Sequence, residues 1–236
     1  MARTAIWTAI SSALTHDIAE ARYAPGDKLP TEAELSARFG VNRHTVRRAL
    51  AAMADEGLVH ARRGAGVFVA QTPTDYPIGR RVRFHQNLTA AGRSPAKEIL
   101  SLETRAADQR EAESLMLSPG SVVHVYQGLS LADEQPIALF QSVFPADRFP
   151  SMLNDVSETR SVTASFARHG IDDYTRQSTR LTAKLANATQ ALHLRIREGD
   201  PILRSIGINV DPDNKPIEIG HTWFAGDRVT LTVNNS

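Results

Sequence analysis

The sequence predicts an α+β protein in two parts, and three observations predict it. Apolar residues recur at helical spacing through most of residues 4–56. A short hairpin pattern with a basic, glycine-rich centre follows at 58–69. Beyond a proline-containing stretch at 71–77, alternating apolar runs are interleaved with short helical segments.

The chain has 236 residues, which suits one large domain or two ordinary ones. Its formal net charge is only +1, so any nucleic-acid surface is a local patch and not a property of the whole. It has no cysteine. Disulfides, thiolate zinc sites and cysteine nucleophiles are therefore excluded, and a reducing compartment fits. No apolar run reaches the ~20 residues of a membrane span. The first 23 residues are amphipathic, with Asp17 and Glu20 among them, and lack the apolar core of a signal peptide. The expectation is a cytoplasmic protein with no membrane partner.

Ile6, Ile10, Ala13, Leu14 and Ile18 share a helical face, which predicts a first helix from Thr4 to Ala21. Pro25-Gly26 ends that region with a turn. Thr31 stands three residues before Glu34, the spacing of a capping box, and opens a second helix carrying Leu35 and Phe39. Gly40 supplies its end and Asn42 the cap of a third helix, so the two are joined by a very short turn. That is helix-turn-helix spacing. On the third helix, at ~100° per residue, Val46, Ala49, Leu50 and Met53 fall on one side. His44, Arg47 and Arg48 point to the other, with Arg43 at the edge and Thr45 on the opposite flank. Leu58-Val59 and Val67-Phe68-Val69 read as strands, with Arg62, Arg63, Gly64, Ala65 and Gly66 as the loop between them. Glycine lets backbone approach a surface closely, and arginine binds phosphates or guanine edges in a forked geometry. Residues 38–63 hold six arginines against Asp55 and Glu56, so positive charge concentrates there while the chain nets +1. A solvated helix face beside a surface hairpin is the plainer alternative; the combined spacing favours DNA binding.

KLPTEAELSARFGVNRHTVRRALAAMADEGLVHARRGAGVFV, residues 28–69, resembles the winged-helix domain of GntR-superfamily transcription regulators. The resemblance implies DNA contacts by Arg43, Thr45 and Arg47 on the recognition helix and by the wing tip at Arg63, Gly64 and Ala65. Lys28, Arg48 and the wing arginines Arg62 and Arg63 are then expected on phosphates, with His44 on the same outer face. Many family members carry an arginine in the second helix where this chain has Ala33, which implies a different operator preference.

Residues 71–77 read as an interdomain linker, extended to 79, which divides the chain into 1–70 and 80–236. In the second part, 96–104 alternates like a strand and 107–116 reads as a helix. Ser118-Pro119-Gly120 is a turn, and 122–126 with 137–144 form a hairpin around 132–136. The plan recurs as a helix at 188–194, a turn at 198–201 and strands at 202–210 and 217–224. Each copy closes its hairpin with Pro-Ile, at Pro136-Ile137 and Pro216-Ile217, a weak internal duplication. An antiparallel sheet flanked by helices follows. This half resembles the UTRA effector domain of HutC-type GntR regulators, whose fold is like chorismate lyase. VNRHTVRRAL together with DYPIGRRVRFHQNL is most similar to regulators of phosphonate uptake and breakdown.

The UTRA resemblance implies ligand contacts from the segment after the linker, here Arg83, Phe84, His85, Gln86 and Asn87, at the opening of a helix. A helix start favours anions through its free N–H groups and dipole. A second such start, at Ser161 and Thr163, matches positions that hold ligand phosphate in sugar-phosphate-sensing relatives. Arg176, Arg180 and His221 are further candidates. For Ser161 and Thr163 plain helix capping competes with binding, and for His85 and His221 an ordinary surface or core role competes. Those relatives carry an Arg-x-Arg pair where this chain has Gly128 and Ser130, and a glutamate where it has Phe140, which implies a different small anion.

An enzyme of chorismate-lyase-like fold is the competing class. The sequence has no Gly-x-Ser-x-Gly elbow, no phosphate-loop signature and no His-x-x-x-His pair, so no catalytic or metal residues and no cofactor are assigned. A constitutive architectural DNA binder is a third class, weakened by the large second domain. The reading is a repressor with three partners: a double-stranded DNA operator, a small anionic effector (a phosphonate or phosphate compound) and a second copy of the chain. A HutC-type regulator of another pathway is the alternative.

Overall fold

The computed structural model describes residues 5–62, 64–70, 73–81 and 84–233. Thr4, Arg63 and Arg83, and the side chains of Arg62 and His85, lie outside the described residues. The chain divides into two compact units, Met1–Thr72 and Pro73–Ser236.

The first unit contains α1 (Ile6–Ala19), α2 (Glu32–Phe39), α3 (Arg43–Asp55), β1 (Val59–Arg62) and β2 (Gly66–Val69). The capping box forms: Thr31 Oγ1 accepts the Glu34 N–H at 3.3 Å, and the Glu34 carboxylate accepts the Thr31 N–H at 2.7 Å. Gly40 ends α2 with φ of 64°, a left-handed conformation that costs glycine little. Asn42 Oδ1 then accepts the Thr45 N–H at 2.9 Å and starts α3. The stripe of Val46, Ala49, Leu50 and Met53 is buried against Ile10, Leu14 and Leu35, whereas Ile6 of the expected α1 stripe is 64% exposed. Asp17, buried on α1, takes ion pairs from Arg22 at 2.9 Å and Arg38 at 2.7 Å, tying α1 to α2. β1 and β2 pair antiparallel from Val59↔Val69 to Arg62↔Gly66. Residues 26–29 run along the outside of β2, with the Leu29 N–H on the Val67 carbonyl at 2.8 Å and the Val69 N–H on that of Asp27 at 2.9 Å.

The second unit contains β3 (Thr74–Pro77), α4 (Phe84–Ala90), β4 (Pro95–Ala106), α5 (Gln109–Leu115), β5 (Val122–Ala132), β6 (Gln135–Pro145), α6 (Met152–Thr159), α7 (Val162–Arg168), β7 (Thr175–Leu185), α8 (Ala188–Leu194), β8 (Pro201–Val210), β9 (Pro216–Ala225) and β10 (Val229–Thr232). Residues 74–77, read from the sequence as linker, are instead β3, paired in parallel with β10. Thr74 and Tyr76 are buried. The pairing joins residues more than 150 positions apart (Val229↔Thr74), so no local pattern announces it.

Strands β4-β5-β6-β9-β8-β7 form one antiparallel sheet in that order. The order carries the duplication: β4-α5-β5-β6 and β7-α8-β8-β9 are mirrored across the central β6–β9 pair. The details repeat too. Asp108 with Glu111 and Asn187 with Gln190 are capping boxes on α5 and α8, and Met116 and Arg195 end those helices in the left-handed region. Alternation gives the sheet two apolar faces. On one, α5 and α8 cover Val123, Val125, Leu129, Leu139 and Ile202. On the other, Phe149, Met152, Val156 and Phe166 pack on Tyr126, Phe140 and Phe144. Tyr76 of β3, Leu88 of α4 and Val229 of β10 gather around Phe224.

Candidate functional sites

In the first unit the basic residues of α3 face outward because the apolar stripe fixes the rotation of the helix. Arg43, His44, Arg47 and Arg48 are exposed and Thr45 is half-buried. Three of these side chains are engaged within the unit. Arg47 grips Glu32 of α2 in a fork, with Nε to Oε1 at 2.9 Å and Nη2 to Oε2 at 2.7 Å. The Arg47 bond holds the Glu32 carboxyl below its ordinary value, with burial opposing it. The fork fixes the direction of this α3 arginine across the turn. Arg48 lies over the Trp7 ring at 4.9 Å, so its cation is stacked on α1. Thr45 Oγ1 donates to Asn42 Oδ1 at 2.9 Å and so belongs to the helix cap. At the wing, Gly64 is exposed but Ala65, expected at the tip surface, is only 7% exposed. The Lys28 stem crosses Gly66, where a side-chain Cβ would stand 2.8 Å from Lys28 Cε. Glycine at 66 therefore gives Lys28 its path over the wing.

The second unit holds a cavity of about 400 Å³ on the α6–α7 side of the sheet. Alternate residues of the inner strands line it: Ser130 of β5, Phe140 and Ser142 of β6, Ser205 and Asn209 of β8, Glu218, Gly220 and Thr222 of β9. The outer strands contribute long cations, Lys97 of β4 and Arg176 of β7. Glycine clears the way for Arg176 and for the Phe140 ring beneath Lys97. A Cβ at Gly207 would lie 1.5 Å from Arg176 Nη1, so only glycine admits that guanidinium. A Cβ at Gly128 would lie 2.9 Å from Phe140 Cζ and 2.4 Å from the Glu98 carbonyl oxygen. Lys97 Nζ sits 4.2 Å from the centre of the Phe140 ring. Burial pushes the Lys97 ammonium down to about 8, partly offset by Glu218. Arg176 Nε donates to Asn209 Oδ1 at 2.8 Å, and Asn209 Nδ2 donates to Glu218 at 2.6 Å.

The expected effector contacts separate into those at the cavity and those elsewhere. Phe84, Gln86, Ser161, Thr163 and Arg176 line it. Ser161 also caps α7, its Oγ accepting the Ala164 N–H at 3.2 Å, and Thr163 Oγ1 is 2.9 Å from the Tyr174 hydroxyl. The helix starts named for anions open α4 and α7, each of only seven residues. Asn87 turns away and donates to the Pro77 carbonyl at 3.1 Å. Arg180 is exposed outside the cavity. The bulge between Arg176 and Ser178 pairs Arg176 with Asn209 but Arg180 with Ile206, an odd step that moves Arg180 to the other face. His221 lies between the lining residues Gly220 and Thr222, so alternation points it to the α5 side. There it stacks with Trp223, ring centres 6.2 Å apart, and burial lowers its pKa against the pull of Glu111. Arg63 and Arg83 lie outside the described residues.

Lys97, Asn209, Glu218, Tyr174 and Gly207 were missed by sequence reasoning. One signal was available: serines and a threonine at alternate positions of otherwise apolar strands (Ser130, Ser142, Ser205 and Thr222) mark a polar lining. Gly128, Ser130 and Phe140, noted as departures from sugar-phosphate sensors, fall at or beneath this lining. The cation that those two β5 positions lack arrives from Lys97, the register partner of Ser130 on the next strand.

Among the described residues, no helix is long and apolar enough to cross a membrane, and no group of three or more His, Asp or Glu stands ready for a metal. Residues 8–69 match the family model of bacterial regulatory proteins, gntR family, and residues 90–230 match that of the UTRA domain. The chain is 37% identical over 230 residues to the uncharacterized HTH-type transcriptional regulator RB1450 of Rhizobium meliloti (strain 1021), covering 97% of this chain and 94% of the relative. It is 32% identical over 222 residues to the probable transcriptional regulator PhnF of Escherichia coli (strain K12), covering 90% and 88%. Among solved structures it is similar to PhnF from Mycobacterium smegmatis, with TM-score 0.66 and 26% identity over 96% of this chain and 99% of that one. An outward recognition helix beside a wing, a separate sheet with a lined cavity, and relatives that are regulators over nearly their whole length agree: the chain belongs to the gntR family of bacterial regulatory proteins, HutC type, and is a transcriptional regulator with a DNA-binding helix-turn-helix domain and a UTRA domain, not an enzyme.

Proposed function

We propose that the protein is a repressor whose operator binding is controlled by a small anionic effector, a phosphonate or phosphate compound, held in the second unit. The observation that carries this is the cavity itself: two cations, Lys97 and Arg176, reach into about 400 Å³ lined by hydroxyls. Such a lining suits a compact, multiply charged oxyanion, since charge-assisted bonds are the strong ones in a partly desolvated site. Relatives named as repressors, such as the probable fructoselysine utilization operon transcriptional repressor of Escherichia coli (24% identical), support the direction of control.

The DNA-binding domain spans residues 1–70, and the effector domain spans 80–236 with β3 added to it. Two copies present two recognition helices to a pseudo-palindromic operator, with half-sites about one turn, ~34 Å, apart. Arg43, Thr45 and Arg47 read base edges while Lys28, Arg48 and the wing contact phosphates. A regulator of chromosomal DNA acts in the cytoplasm. The effector shifts operator affinity only by its difference in affinity between DNA-competent and incompetent states.

The test is a mobility-shift titration of the full chain on its own upstream DNA, with ethylphosphonate, phosphate monoesters and inorganic phosphate added. Release of DNA by one of these anions, lost in Arg176→Ala, is the expected result. Operator affinity indifferent to every anion, or enhanced by them, overturns the reading.

A further inference from the structure

The charges of the cavity are unequal and each keeps an unused valence. Lys97 packs its ammonium among rings, 4.2 Å from the Phe140 centroid, 5.1 Å from Phe84 and 5.9 Å from Tyr126. Among the described residues it has no hydrogen-bond acceptor and no carboxylate in ion-pair range. Arg176 uses only Nε, on Asn209; its terminal nitrogens, laid over Gly207, bond no described residue. Glu218 gives Oε2 to Asn209. Its Oε1 bonds no described residue and stands over Gly220, where an added Cβ would be 3.7 Å away.

The two cations occupy matching places in the duplicated fold. The offset that maps Asp108 onto Asn187 and Gly120 onto Gly199 also maps Gly128 onto Gly207 and Lys97 onto Arg176. One cation therefore enters from each half of the sheet. The carboxylate has no such counterpart: the same comparison of β6 with β9, aligned on Pro136 and Pro216, sets Ala138 against Glu218. The sheet alone supplies a symmetric pair of cations, and this chain adds a single anion on one side.

Lys97, Arg176 and Glu218 together carry +1. A bare phosphoryl dianion overshoots that charge and brings no donor for Glu218 Oε1. A dianion that also bears an ammonium group carries –1, balances the site and supplies the donor. Leaving a desolvated carboxylate oxygen unpaired beside a bound dianion is costly, and an ammonium removes the cost. We infer that the cavity takes a small zwitterion, a phosphonate or phosphate monoester bearing a primary ammonium group, with phosphoryl oxygens on Arg176 and Lys97 and the ammonium on Glu218 Oε1. This rests on the anionic-effector reading and specifies its ligand class.

Titration calorimetry of the full chain separates the two. The probes are 2-aminoethylphosphonate, 3-aminopropylphosphonate, O-phosphoethanolamine, ethylphosphonate, ethyl phosphate and ethanolamine. At least one amino anion should bind tenfold or more tightly than its amine-free counterpart, and ethanolamine should not bind. Whether the phosphonates or the phosphate monoester bind more tightly decides the source of the phosphoryl group. In Glu218→Gln, which keeps an acceptor for Asn209, the tenfold preference should vanish while ethylphosphonate binding holds or improves. Ethylphosphonate binding as tightly as the amino compounds overturns this inference and leaves the anionic-effector reading standing. Preference for the amino anion surviving in Glu218→Gln also overturns it. Absence of binding by all the anions overturns both.

Discussion

The two units use long cationic side chains in opposite ways. On α3 the arginines point out: Arg43 and Arg47 are exposed, and Arg47 is steadied from the side by Glu32. In the second unit Lys97 and Arg176 leave the outer strands and run inward, over an aromatic ring and a glycine. A charge kept in water costs little and is available to a large, mobile, polyanionic partner. A charge drawn inward is partly desolvated, and discriminates more sharply among small ligands for that reason. Direction alone thus separates a surface suited to DNA from a cavity suited to a metabolite.

The largest effect should come from cutting the outward charges. Arg43→Ala with Arg47→Ala should weaken operator binding by about 5- to 150-fold per arginine, judged from ~1–3 kcal/mol for a bidentate base contact. Fluorescence anisotropy at fixed salt measures it, and calorimetry should find anion binding in the second unit unchanged. Operator affinity within twofold of wild type would break the assignment of α3 to the groove. Next, Gly207→Ala places a methyl group where Arg176 Nη1 lies, 1.5 Å away, and should expel the guanidinium. Ethylphosphonate affinity should fall about tenfold, ~1.4 kcal/mol, typical of one lost charge-assisted bond, while ligand-free operator affinity is retained.

A pH titration sharpens the contrast further. The Lys97 pKa is lowered from 10.5 to about 8, so the ammonium proposed to hold the anion is lost as pH rises through about 8. Glu218 on β9, Arg176 on β7, Tyr126 on β5, Tyr76 on β3 and Tyr174 just before β7 face the same space; burial raises Tyr76 and pushes Tyr126 up to about 12, beyond the range tested. Ethyl phosphate affinity should therefore decline between pH 8 and 9.5, after the phosphoryl group has finished titrating, and the slope should disappear in Lys97→Met. The stability effect has the opposite sign. The unfolded chain holds the Lys97 proton up to about 10.5, so the ligand-free fold gains stability between pH 8 and 10.5 from this group. The smallest effect belongs to a local device. Thr31→Ala removes the Oγ1 acceptor from the Glu34 N–H and should lower first-unit stability by about 1 kcal/mol, read as a shift in denaturant midpoint.

The first unit was largely legible because its determinants are close in sequence. Thr31 and Glu34, Gly40, Asn42 and the stripe from Val46 to Met53 each act within a turn or two of helix. Even there, the stacking of Arg48 on Trp7 and the burial of Ala65 depend on how elements pack, and sequence position did not show them. In the second unit, strand alternation and the repeated Pro-Ile hairpins exposed the duplicated plan. Arg176 and Arg180 were both candidates, and even spacing on a regular strand implies one face. The bulge after Arg176 breaks that rule. His221 was a candidate with an ordinary core role competing, and its place between Gly220 and Thr222 turns it away from the cavity.

What the sequence determined by itself is the existence and order of elements whose signals span a few residues: caps, helical stripes, hairpin turns and the outward basic face of α3. These follow from backbone hydrogen bonding and the 3.6- and 2-residue periods, which act locally. Only the tertiary structure decided the composition of the cavity. Lys97, Arg176, Asn209 and Glu218 come from four different strands, and strand order, register and one bulge bring them together. The pairing of β3 with β10 has the same character, because a contact between distant strands is set by which surfaces fit, and no short segment carries that information.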